Sequence, residues 1–175
     1  MEKEVEVKEK KHIKIAGITL WRIVAYFIIY SVVGFIIETI FGVLTKGVLE
    51  SRKSFLYGPF CSIYGLGAVL MILPLQRFKK NNYTLFAAGF VIGSIIEYLV
   101  SLIGELIFHI KWWDYSDQIL NLNGRICVQF SLFWGLLAIY LMSDINKRVD
   151  KLIDFLKKKI SMGILKTAVV LVSIF

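Results

Sequence analysis

The sequence predicts an all-α, polytopic transmembrane helix bundle, and three observations carry that expectation. Of the 175 residues, 57% are hydrophobic and the mean hydropathy is +0.69. Soluble domains run at about 45–50% apolar, so the excess points to a bilayer rather than to a larger core. The apolar residues also gather into runs long enough to cross about 30 Å of hydrocarbon at about 1.5 Å per residue. Finally, the lysines and arginines behind the formal net charge of +8 cluster at the ends of those runs. Such flanks hold transmembrane helices in register, and they read here as that rather than as a nucleic-acid surface.

Taken in order, residues 1–19 are a charged tail. Its Lys/Glu-alternating part, Met1–Lys14, has no apolar periodicity and is expected to be disordered or loosely helical. Four spans then occupy residues 20–142. Leu20–Leu44 is the first, anchored at its near end by Trp21 and Arg22; it is longer than a signal peptide's apolar core and lacks a small-residue cleavage site. A polar loop, Thr45–Lys53, leads to the second span, Phe55–Leu75, with Pro59 in its first turn, where a missing N–H costs little, and Pro74 at its end. A basic turn, Gln76–Tyr83, precedes the third span, Leu85–Ile110. The fourth, Ile126–Met142, is shorter.

Residues 143–162 differ in character. Ile145, Val149, Leu152, Ile153, Leu156 and Ile160 recur at helical spacing among six lysines and arginines. This is a cytoplasmic amphipathic helix, suited to lie on an anionic membrane surface or to meet a partner. Residues 163–175 begin a fifth span that stops after about 20 Å at helical rise, so a last helix is expected to be cut short. Fourteen lysines and arginines fall on the tail, the basic turn and the amphipathic helix, against five on the other two loops. That asymmetry predicts a multi-pass cell-membrane protein with a cytoplasmic N-terminus.

The chemistry concentrates in two places. One is the polar-aromatic island Lys111–Arg125, which carries Trp112, Trp113, Asp114, Tyr115, Asn123 and Arg125 between apolar runs. Trp and Tyr favour the boundary of hydrocarbon and water, so the island is read as an outer loop capping the bundle. The other is a set of intramembrane acids. Tyr30, Gly34, Glu38 and Gly42 recur every four residues, as do Gly89, Gly93, Glu97, Ser101 and Glu105. Such spacing puts small residues and carboxylates on one inward face.

A charged residue within a span costs at least about 2.5–3.5 kcal/mol on insertion scales and marks either a packing ion pair or a site. Arg52, Lys53 and Arg125 are the expected cations for these acids. Two readings stay open: ion pairs that fix helix packing, or a substrate or proton site. Gly34–Glu38 also matches Gly93–Glu97 as G-x-I-I-E, and Phe60, Tyr64, Gly65 and Ala68 match Phe130, Trp134, Gly135 and Ala138, which suggests a duplicated helix hairpin.

Other chemistry finds no support. Cys61 and Cys127 lie in apolar runs without a CxxC or a nearby His, so they read as inert thiols, and no metal or cofactor is expected. His12 and His109 read as interfacial. There is no GxxxxGK[ST], HExxH or GxSxG motif, hence no ATPase or hydrolase signature. Asp114 with Asp117 lacks a partnering His or metal ligand and fits loop capping better than paired-carboxylate chemistry.

Glu38, then Ser54–Phe60 with Ile63-Tyr64-Gly65, then Glu97-Tyr98, Trp112–Ser116 and Leu122–Ile126 occur in an order that resembles the family described as "putative ABC-transporter type IV", bacterial multi-spanning membrane proteins. The resemblance covers Tyr26 to Met142. Where that family often has Arg-Gly before Phe-Leu-Tyr-Gly-Pro, this chain has Arg52-Lys53-Ser54. The resemblance implies a transporter membrane subunit with ATP hydrolysis on a separate chain, met through 143–161, and it supplies no substrate. Two alternatives stand beside it: a small structural or regulatory membrane protein, self-associating or alone, and a membrane enzyme with a lipid headgroup site at the outer face.

Overall fold

The structure is a computed structural model and describes residues 13–46 and 60–159. Arg52, Lys53, the start of the second span and the fifth span lie outside the described residues.

The chain opens on a two-stranded antiparallel hairpin, β1 (Lys14–Ile15) and β2 (Ile18–Thr19), in the register Lys14 to Thr19 and Ile15 to Ile18. Both turn residues, Ala16 and Gly17, have positive φ, the mirror-image turn that matches strand twist. Ile18 drops into the core and Leu20 N–H donates to the Ile13 carbonyl, so the charged tail ends in an ordered clip against the first helix.

Four helical segments follow. α1 spans Leu20–Lys46, α2 Ser62–Leu75 and α3 Asn82–Phe108. α4 (Val128–Tyr140) runs through a π-helical turn, Leu141–Ile145, into α5 (Asn146–Lys159) without a loop. Three of these helices are long and apolar enough to cross a membrane: α1, α3, and the continuous run Val128–Lys158. α2 is a shorter apolar helix with Pro74 in its last turn, where the interruption falls at the exit. Cys61 and Cys127 stand at the N-caps of α2 and α4 rather than inside them.

α3 starts where the Asn81 side chain accepts the Tyr83 N–H at 2.8 Å, an N-cap that satisfies an orphan donor. It stops at His109, whose left-handed conformation ends the ladder.

α1 packs along α2, and α3 along α4, as two antiparallel hairpins joined through α2 and α3. Apolar residues such as Ile36, Ile37 and Ile40 on α1 and Leu132, Phe133 and Leu136 on α4 are exposed. In water such faces would aggregate; they belong against lipid.

The π turn replaces the boundary that the sequence alone places at Ser143. α5 continues beside α1, with one contact per turn: Tyr30 with Asn146, Tyr26 with Asp150, Arg22 with Asp154. Ile145, Val149 and Ile153 are spent on the core. The apolar stripe read as a free amphipathic face is therefore divided, with only Leu152 exposed among its described members; Phe155, outside the stripe, is exposed as well. The sequence reading missed this because Asp150 and Asp154 look like surface charges until α1 supplies Arg22.

Candidate functional site

The site grows from close helix approach. A Cβ at Gly93 would overlap the Trp134 side chain, and one at Gly89 would overlap Ala138. Only hydrogen at these positions lets α3 and α4 meet backbone to backbone. From the Gly89–Ala138 contact, α4 begins about level with Leu99, so roughly 14 Å of α3 rises beyond it at helical pitch. The island 110–127 fills that space.

The loop is stapled to the protruding part of α3 residue by residue. Trp112 lies against Gly104 and within 6.1 Å of Phe108, and Trp113 donates its Nε1–H to the Arg125 carbonyl at 2.9 Å. Asn123, held at φ 55°, donates to Tyr98 Oη at 2.9 Å. Arg125 donates to Ser101 Oγ at 3.1 Å, reaches Glu105 at 2.5 Å, and lies 5.9 Å from the Tyr98 ring centre. At the loop's tip Lys111 pairs with Asp114 at 2.8 Å, while the Ser116 N–H and hydroxyl both donate to Asp114. The Lys111 contact first, and then Ser116, hold the Asp114 carboxyl well below its usual 3.8, at about 2. Gly124, at φ 66°, sits where a side chain would strike Asp114 and Ser116.

Beneath this cap is Glu97, 7% exposed. Its two oxygens take one donor each: Tyr115 Oη–H at 3.0 Å from the loop and Trp134 Nε1–H at 2.9 Å from α4. Tyr115 also stacks on Phe130 with ring centres 4.5 Å apart. Burial first, and then the neighbouring Glu97, push the Tyr115 hydroxyl upward from its ordinary range. One turn deeper the Ser94 and Ser131 hydroxyls meet at 2.6 Å.

The first hairpin carries a parallel set of contacts. Tyr64 donates to Glu38 at 2.7 Å, as Trp134 does to Glu97. Gly34 faces Tyr64 as Gly93 faces Trp134, and Gly65 faces Phe27 as Gly135 faces Phe86. A single shift along each helix carries one set onto the other.

A family model described as "Putative ABC-transporter type IV" matches residues 25–175. The chain belongs to this family. The match runs past Met142, where the motif resemblance ends, and takes in the residues of α5. No curated protein and no solved structure matches the chain. This is a membrane protein, and its family label is that of a transporter.

Within this chain, the structure brings together Glu97, Glu105, Trp112, Trp113, Asp114, Tyr115, Asn123 and Arg125 at one end of the α3–α4 hairpin. Glu38 lies on the other hairpin, and Arg52 falls outside the described residues. Among the described residues, Arg125 goes to Glu105 and Glu97 is met by neutral donors. Sequence reasoning singled out neither Trp134 nor Tyr64 as a site residue, although both stood in the hairpin match one residue before a glycine.

Proposed function

We propose that this protein is the membrane-embedded subunit of an ABC-type transport system, with its polar site under the cap formed by Lys111–Arg125. The observation that carries the reading is Glu97, a carboxylate deep in an apolar bundle, held among the described residues by Tyr115 and Trp134 rather than by an arginine. A group that only fixed packing would be better served by the cation one turn away. Intramembrane acids that face a bundle interior commonly line transport routes.

In this reading the chain crosses the cell membrane four times, with its N-terminus in the cytoplasm. The two hairpins are duplicated units, supported by the matched contacts of Glu38 with Tyr64 and Glu97 with Trp134. ATP hydrolysis resides on a separate subunit, since no nucleotide motif occurs in this sequence. That subunit meets the exposed face of α5, where Leu152 and Phe155 are flanked by Lys147, Lys151 and Lys158.

The test is a gentle-detergent pull-down of the full chain from its native membrane, read by mass spectrometry. An ATP-binding chain that is recovered, and lost from a Leu152→Ser, Phe155→Ser double variant, supports the reading. Both residues are exposed, and neither belongs to the core cluster. Recovery of the protein alone, or with itself only, sinks the transporter reading in favour of a structural one.

A further inference from the structure

We propose that Glu97 binds a single exchangeable proton on Oε1, with the Tyr115 hydroxyl as the partner that reverses its hydrogen bond when the proton arrives. The inference goes beyond the transport reading and stands whether or not an ATP-binding subunit exists.

The two donors on Glu97 differ in kind. The Trp134 indole carries one N–H and no acceptor, so its bond to Oε2 has the same direction in every protonation state. A phenol both donates and accepts. With Glu97 ionised, Tyr115 Oη–H donates to Oε1 across the 3.0 Å that separates them. When Oε1 takes a proton, a new O–H bond forms on the carboxyl and points at Tyr115. The phenol keeps its own hydrogen, turns it away, and accepts through a lone pair. Deprotonation runs the same step backwards, and the proton leaves to water. No electron transfer is involved, and no group need move by more than a hydroxyl rotation.

Charge is the reason for a proton here. An ionised carboxylate in a low-dielectric interior is stabilised by a cation or by several strong donors, and otherwise neutralises. The groups facing Glu97 are few. From the loop comes Tyr115, with Cys127 beside it at the start of α4. α4 contributes Trp134, which does not titrate. On α3 itself Tyr98 accepts from Asn123, and Glu105, two turns outward, is taken by Arg125. Among the described residues no hydrogen bond or ion pair reaches Glu97 from α1 or α2.

Access is built in as well. Glu97 lies about 16 Å below the end of α3 at helical rise. Tyr115 belongs to the loop, and so joins the buried carboxyl to the solvent end of the hairpin.

The experiment is infrared difference spectroscopy of the full chain in lipid, stepping from mildly alkaline to mildly acid pH. A protonated-carboxyl band that grows as pH falls, and is absent from Glu97→Gln, is the expected result. Tyr115→Phe keeps the ring stack on Phe130 but removes the phenol partner, and should shift that band toward a free carboxyl. If Glu97→Gln fails to accumulate, the Tyr115→Phe shift alone decides. A band present at every pH, or absent at every pH, overturns the proposal, as does a Tyr115→Phe spectrum identical to that of the wild type.

Discussion

The Tyr26 hydroxyl on α1 donates to the Asp150 carboxylate on α5 at 2.5 Å, joining residues 124 positions apart. It is the middle rung of an antiparallel ladder, with Tyr30 and Asn146 deeper and Arg22 with Asp154 at the open end. Arg22 also reaches Asp150 at 3.3 Å, so the two acids of α5 face the one arginine of α1. Among the described residues, Lys147, Lys151, Lys157 and Lys158 make no ion pair with these acids. The ladder ties α5 to α1 over three successive turns.

Removing the middle rung tests that statement. Tyr26→Phe keeps the buried ring and deletes one donor to a partly solvated carboxylate, which costs about 1–2 kcal/mol. The thermal unfolding midpoint in detergent should fall for this variant and stay unchanged for Tyr83→Phe, whose ring is 87% exposed. Equal midpoints would remove the ladder's share in stability.

Glycine positions should divide sharply. Gly89→Ala puts a methyl into Ala138 and against the Trp134 carbonyl, neither of which is a flexible side-chain end. Overpacking of this kind costs about 1–3 kcal/mol, and separating α3 from α4 would also lengthen the Glu97–Trp134 bond. Gly67→Ala meets nothing within 4 Å. It should instead be neutral or stabilise by about 0.5–1 kcal/mol through helix propensity. The check is the pair of unfolding midpoints; a Gly89→Ala variant as stable as wild type would contradict the close approach.

The loop tip has an acid limit. Asp114 titrates at about 2 in the folded loop against 3.8 ordinarily, a depressed value. Its contribution is present above the unfolded value and drains away as pH falls from about 4 to about 2. Trp112 and Trp113 fluorescence should report loosening of the cap across that window in the wild type. Asp114→Asn should show a looser cap already at neutral pH and no further step there. A pH-independent wild-type signal would rule out the Lys111–Asp114–Ser116 arrangement as the cap's fastening.

The helical spans α1 and α3 and their inward faces were readable from local pattern. The four-residue recurrence of Gly34, Glu38 and Gly42, and of Gly89, Gly93, Glu97 and Ser101, marks one side of a helix whatever it packs against. Those residues are buried or half-buried as the spacing implies. The polar-aromatic island was equally legible as a cap, because tryptophans next to charges have few other stable places in an apolar chain.

Membership of the membrane class, the span of α1 and α3 and the inward stripe were therefore determined by the sequence alone, since hydropathy and 3.6-residue periodicity are properties of consecutive residues. Which donor meets which acid was decided only by the tertiary structure. Trp134 reaches Glu97 across 37 positions, and Arg125 stops at Glu105, because the register of α3 on α4 is set where glycines let the backbones touch. The same holds for Arg22 with Asp150 and Asp154: a charge reads as solvent-facing until the fold brings the opposite charge to its side. Helix–helix register is a sum over many distant contacts, and no local stretch of chain carries it.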